Sequence, residues 1–394
     1  MKLWNSQFIF ILAIGAVSAT AFGMISPLVP GYAVSLGASL SVAGMVVGIF
    51  SIVALIARPF SGILGDKLNK KWLLTAFLFF NGFSTLLYIL APNIPWLIPV
   101  RILHGFMFSV SGTIVFAMGA EFIPRNRIGE GIGFLGMGQI IGFAIGPNAG
   151  IFVFENHSYQ LVFIISGIVI MITGLSMLLM KYDYTAPEPD PETLATKNKL
   201  RLKDFFAVEL IPNVIFVSIL TLGMGITNSY IVLFGYERGI GNIGLFFIVN
   251  AVVVLITRPT MGRLTDRKGV PFIVLPGYII AAVALALLGA SYSIAPILLA
   301  AVLFAIGVGG SMPAIQADCL QRLDATRRTV ATGTYMIGLD IGMTIGQIFG
   351  GSASDAFGFG ATFYGSAVLM LVGFVFYFIY TKRGKSNEVQ SNNI

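Results

Sequence analysis

The chain has a single cysteine, two histidines and few charges, and these scarcities set the first limits. Cys319 alone cannot build a disulfide framework or a cysteine-based metal site. Charged residues make up 10% of the chain, where soluble domains carry roughly 25%. No nucleotide-binding loop, metal-ligand cluster or nucleophile–base constellation occurs. The sequence therefore gives no support to an enzyme, a cofactor or a bound metal. Acidic residues are also missing from the start of the chain, where the first is Asp66.

What fills the chain is apolar sequence. Hydrophobic residues reach 56% and the mean hydropathy is +0.89. A spanning helix needs about 20 mostly apolar residues. On that criterion twelve spans are predicted: 7–30, 40–65, 72–91, 96–120, 131–153, 160–181, 208–234, 243–263, 271–291, 294–317, 329–351 and 358–380. The expected class is an all-α membrane protein of two six-helix halves, 1–181 and 207–381. A polar linker, 182–206, joins them and a polar tail, 382–394, follows. The first run continues through Pro27 and Pro30 as a full span, with no small-x-small site that would mark a cleaved leader.

Charge orients the spans. If the N-terminus is cytoplasmic, every Lys and Arg falls in an inside segment except Arg238 outside and Arg58, Arg101 and Arg258 within spans. This bias predicts both termini on the cytoplasmic side of a cell membrane. The net charge of +7 then reports topology and contact with anionic lipid heads, with no implication of nucleic acid.

The chain also repeats itself at an offset of two hundred positions. Arg58-Pro59-x-x-Gly62-x-Leu64-x-Asp66-Lys67 returns as Arg258-Pro259-x-x-Gly262-x-Leu264-x-Asp266-Arg267. Gly138, Gly142, Gly146 and Gly150 return as Gly338, Gly342, Gly346 and Gly350, and Gly23-Met24 as Gly223-Met224. One offset in three places means two copies of one structural unit. Paired halves are how many secondary transporters are built, with the substrate bound where the halves meet.

The stretch Gly62-Ile63-Leu64-Gly65-Asp66-Lys67-Leu68-Asn69-Lys70-Lys71 resembles the G-x-L-x-D-[RK]-x-x-[RK]-[RK] loop signature of the major facilitator superfamily. The resemblance covers essentially the whole chain. It implies that Asp66, Lys67, Lys70 and Lys71, with Asp266 and Arg267 in the second copy, gate the cytoplasmic face. It further implies that Glu121 and Asp318, at the inner ends of spans four and ten, join them in an ion-pair relay. Arg58 and Arg258 stand close enough to the interface to snorkel, and are expected to be structural or gating.

Two further patterns resemble the drug:proton antiporter branch. In span five, Gly138, Gly142, Gly146, Pro147 and Gly150 follow its antiporter signature, with Ala149 departing from it. Small-x-x-x-small spacing lets helices touch closely, and proline permits a bend. The second copy has Gln347 in place of the proline. In span four, Arg101-Ile102-Leu103-His104-Gly105 resembles the branch's R-x-x-x-G pattern. Intramembrane arginine is costly unless it faces a cavity or a partner, so Arg101 is expected to line the substrate cavity. His104 is a candidate proton carrier. Asp340, the sole carboxylate near a predicted bilayer midplane, is the leading one. Many family members carry an N-half acid, and spans one and two here have none, which shifts weight to Asp340. Tyr32, Asn81, Gln139, Asn228, Tyr230, Asn250 and Tyr335 are the expected polar lining of that cavity.

These readings point to proton-coupled efflux of small amphipathic compounds by a monomer embedded in the lipid bilayer. The alternative is an exporter or importer of one defined metabolite, such as a sugar or a metal-chelating compound.

Overall fold

The computed structural model describes residues 3–124, 127–182, 207–323 and 327–391, without the side chains of 59, 62–63, 66–67, 128–130, 132, 259, 328–329 and 383–391. The expected linker is therefore outside the described residues apart from Tyr182. Among the described residues there is helix and no strand.

Helices start where a short polar residue precedes an apolar run. Asn5 accepts from the Phe8 amide, Ser39 from Val42, Asn69 from Lys71, Asn93 from Trp96 and Ser158 from Leu161. Each such cap satisfies one of the amides that a helix start leaves without a partner. The chain divides into two compact units, Met1–Lys199 and Leu200–Ile394.

In the first unit, α1 (Ser6–Ile25) and α2 (Val29–Ser35) are separated by the Ser26–Leu28 turn. Pro27 and Pro30 account for the interruption, since neither can donate to the ladder. The others are α3 (Leu40–Lys67), α4 (Lys70–Leu86), α5 (Ile94–Glu121), α6 (Ile128–Asn156) and α7 (Tyr159–Ser176). The main packing partners are α1 with α6, α3 with α5, and α4 with α7.

The second unit repeats this plan. Its helices are α8 (Ile211–Glu237), α9 (Leu245–Lys268), α10 (Val270–Ala290), α11 (Ile294–Arg322) and the long α12 (Arg328–Ser391). α8 packs on α12, α9 on α11, and α10 on both α11 and α12.

Among the described residues ten helices are long and apolar enough to cross a membrane, or eleven when the bent pair in α9 counts as one span. That pair, Leu245–Arg258 and Thr260–Lys268, meets at 45° around Pro259, where the ladder loses a donor. The expected eleventh and twelfth spans fall in one apolar stretch of 53 residues, Val330–Lys382. Gly358, at φ 81°, breaks α12 within it. A side chain at that residue would strain the backbone, so glycine makes the turn possible without a loop.

Candidate functional site

Three groupings carry the residues singled out by sequence. The first is a glycine seam. A Cβ added to Gly138 would lie 3.1 Å from Leu12 Cδ1. One on Gly142 would lie 2.6 Å from the Ala19 Cβ, and one on Gly146 would lie 2.8 Å from the Gly23 Cα. At Gly150 it would run into the Met24 carbonyl. Thus α6 and α1 meet backbone to backbone, which larger residues would prevent. Pro147 sits in this seam, 3.2 Å from a Cβ placed on Gly23. In the second unit Gly338, Gly342 and Gly346 meet α8 in the same manner. There Gln347 replaces the proline, and its carbonyl accepts the Tyr230 hydroxyl at 2.6 Å.

The second grouping lies at the signature-loop ends of the helices. Lys70 pairs with Glu121 at 2.7 Å, and the Tyr182 hydroxyl donates to the same carboxylate at 2.7 Å. Lys71 donates to the Leu178 carbonyl at 3.1 Å. One carboxylate in the last turn of α5 therefore gathers the start of α4 and the chain following α7. Asp66 and Lys67 close α3, and their side chains lie outside the described residues. The second unit differs from the expected relay. Asp318 accepts from Asn213 at 2.7 Å and from Arg322, one turn along its own helix, at 2.7 Å. Asp266 and Arg267 are exposed in the last turn of α9, and Arg58 and Arg258 are exposed near the ends of theirs.

The third grouping surrounds Arg101. Expected against a substrate, it is instead 3% exposed. Its Nε donates to the Val46 carbonyl at 3.1 Å, Nη2 to Val47 at 3.0 Å and Nη1 to the Tyr88 hydroxyl at 3.0 Å. The guanidinium also lies 4.5 Å over the Phe50 ring. Buried charge persists where hydrogen bonds replace water, and here α3 and Tyr88 supply them. His104 is fully buried with Nδ1 3.0 Å from the same hydroxyl.

The remaining expected lining residues divide. Tyr32, Tyr230 and Tyr335 are at most 3% exposed, each bonding a carbonyl of its own unit: Tyr88, Gln347 and Met312. They are bolts between helices, because a buried phenol needs a partner and a carbonyl is the nearest acceptor. Asn250 bonds the Ala301 carbonyl at 3.3 Å. Asn81 is buried with its Oδ1 unpartnered among the described residues. Gln139, Asn228 and Asp340 are half-buried. The second unit also holds an apolar cavity of about 430 Å³ between α8 and both arms of α12, with Leu222, Ile226, Phe349 and Leu369 in its walls.

Sequence inspection passes over Tyr88 and the rings beside His104. The available signal is asymmetry between the copies: Tyr88, Arg101 and His104 correspond to Leu288, Ala301 and Phe304.

The family model for the Major Facilitator Superfamily matches residues 11–325 and 241–393. This chain belongs to the major facilitator superfamily. Superfamily relatives match it over more than nine-tenths of their length. An uncharacterised MFS-type transporter of Methanocaldococcus jannaschii is 25% identical over 383 residues, covering 94% of this chain and 95% of its own. The multidrug resistance protein MdtG of Klebsiella pneumoniae is 26% identical over 396 residues, covering 95% and 93%. Among solved structures, the nucleoside transporter NupG superposes with a TM-score of 0.77 at 13% identity, covering 96% of this chain and all of that one. A bacterial homologue of the lysosomal transporter Spinster gives 0.77 at 15%, covering 95% and 96%. These likenesses in solved structures show the fold. Membership of the superfamily makes the chain a multi-pass membrane transporter rather than an enzyme.

Proposed function

We propose that this superfamily member is a proton-driven exporter of small amphipathic compounds, working by alternating access. The observation that carries the reading is the seam in which Gly142, Gly146, Pro147 and Gly150 of α6 lie against the backbone of α1. A seam without interlocking side chains lets one helix slide or rock on another at little steric cost. The proline removes one rung of the α6 ladder where such bending would centre. Relatives named for multidrug resistance support drug-like cargo.

In this reading the chain crosses the membrane twelve times as a monomer, with α12 supplying two spans and both termini cytoplasmic. Asp340 carries the coupled proton. Asp66 with Lys67, Lys70, Lys71 and Glu121 latches the inner face, and Asp266, Arg267 and Asp318 do so in the second unit.

The test is growth of an overexpressing strain on a panel of toxic compounds, with and without a protonophore. Resistance to several amphipathic compounds that the protonophore abolishes is the expected result. Saturable uptake of one solute without resistance would overturn the reading in favour of a dedicated metabolite carrier.

A further inference from the structure

Tyr88, Arg101 and His104 form a hydrogen-bonded chain. Arginine has only donors, so Arg101 Nη1 gives its hydrogen to the Tyr88 oxygen at 3.0 Å. The Tyr88 hydroxyl also meets His104 Nδ1 at 3.0 Å, and with its oxygen already accepting from Arg101 we assign it as the donor there. With Nδ1 accepting, the imidazole hydrogen sits on Nε2. That Nε2 is buried and has no hydrogen-bond partner among the described residues. Aromatic rings pack on the imidazole. Phe50 lies 5.1 Å and Phe22 6.1 Å from the imidazole, both edge to face. Phe22 stacks on Phe108 at 4.2 Å and meets Phe143 at 6.1 Å. Phe143 is exposed and Phe22 and Phe108 are half-buried, so the cluster opens at the surface of the first unit.

We propose that this aromatic box, with the His104 Nε2–H at its floor, is a substrate subsite. It takes neutral or anionic aromatic compounds that carry a hydrogen-bond acceptor, and it rejects lipophilic cations. The inference rests on the transport function proposed above and names its substrate class.

Three observations support it. Packing alone does not demand these residues, because the second unit fills the equivalent places with Leu288, Ala301 and Phe304, all buried. A buried donor without an acceptor is a standing cost unless a ligand completes it. Among the described residues of the first unit, Arg101 is held by two carbonyls and a hydroxyl and by no carboxylate. Arg101 lies behind Phe50, while α1 has no acid and the acids of α3, α5 and α6 sit only in their terminal turns. A cation entering here would meet a buried guanidinium with no counter-charge. For an acceptor-bearing ring, swinging Phe22 aside exchanges one ring face for another and adds a hydrogen bond.

The chain has two histidines, His104 and His157, so selective ¹⁵N-histidine labelling gives a direct readout. Full-length protein in nanodiscs would be titrated with radiolabelled chloramphenicol, a neutral acceptor-bearing aromatic, and with tetraphenylphosphonium, a cation without an acceptor. Chloramphenicol should shift the His104 Nε2 resonance and leave His157 unmoved. His104→Phe, which installs the residue of the second copy, should weaken its binding by about tenfold. Tyr88→Phe, which releases the tautomer, should weaken it too. Tetraphenylphosphonium should bind more weakly than chloramphenicol and leave His104 unshifted. The subsite is overturned if wild-type protein binds neither probe, binds the cation at least as tightly, or binds chloramphenicol equally well as His104→Phe. Transport by proteoliposomes separates the two readings. If wild type and His104→Phe export the same compounds equally, only the subsite fails. If wild type exports nothing, the exporter reading fails.

Discussion

Asn250 Nδ2 bonds the carbonyl of Ala301, the residue two hundred positions after Arg101. In the first unit the link runs the other way, from Arg101 on α5 to the carbonyls of Val46 and Val47 on α3. The partner of Asn250 in the repeat is Phe50, the ring under the guanidinium. Equivalent helix pairs are thus tied by donors placed on opposite helices. Charge-assisted bonds to carbonyls are the stronger version, at about 1.5–3 kcal/mol against about 1 for a neutral pair.

Arg101→Ala should therefore lower stability by about 2–4 kcal/mol, since it empties a buried fork with three acceptors. Arg101→Lys should recover only part of this, because an ammonium cannot span the same fork. Asn250→Ala should cost about 1 kcal/mol. Thermal unfolding of the purified variants in one detergent checks the order, and equal midpoints for both alanine variants would contradict it.

Gly146→Leu should abolish transport while the protein still reaches the membrane. The added side chain would enter the space held by the Thr20 carbonyl and Gly23. Pro147→Ala, which restores the missing rung, should slow turnover with less effect on abundance. Transport normalised to membrane protein decides it. Wild-type rates in both variants would remove the main support for a moving seam.

Glu121→Gln and Asp66→Asn should impair turnover far more than folding. The Lys70–Glu121 pair is partly exposed, at 15% and 37%, so solvent limits its worth to about 0–1 kcal/mol. Melting points should barely move, while initial transport rates should fall severalfold. Asp266→Asn should be milder, as Pro271 stands where the first loop has Lys71. Rates at wild-type level in Glu121→Gln and Asp66→Asn would show that these carboxylates are merely solvated ends.

Asp340→Asn should abolish proton-driven accumulation yet leave counterflow in proteoliposomes, because asparagine mimics the neutral acid. Substrate-induced proton release from purified protein should vanish as well. Unchanged release would place the coupling elsewhere.

The repeat was legible because helix contacts too tight for a Cβ leave glycines at fixed spacing, as Gly142 and Gly342 do. Most spans were legible because the bilayer demands length and apolarity: ten or eleven helices among the described residues meet that demand, and Gly358 joins two expected spans into one helical run. The roles of polar residues inside helices were less legible. Tyr32, Tyr230 and Tyr335 are the kind of residue a cavity wall would need, yet each bonds a carbonyl of its own unit. Which face of a helix a hydroxyl takes depends on neighbours far away in sequence, as Tyr32 on Tyr88 illustrates. Tyr88 was missed for the same reason.

The turn at Gly358 also bears on how the topology can be mapped. Proteases cut extended, accessible chain, and here the backbone passes from one arm to the other within helix, through a single residue of positive φ. The turn itself offers no loop to nick, tag or lengthen. Protease protection and inserted epitopes can mark the side on which the arms of α12 turn at the neighbouring Gly239–Gly244 connection, where Arg238 bonds the Gly289 and Ser291 carbonyls, while single-residue labels, at Asp355 for example, mark the turn itself.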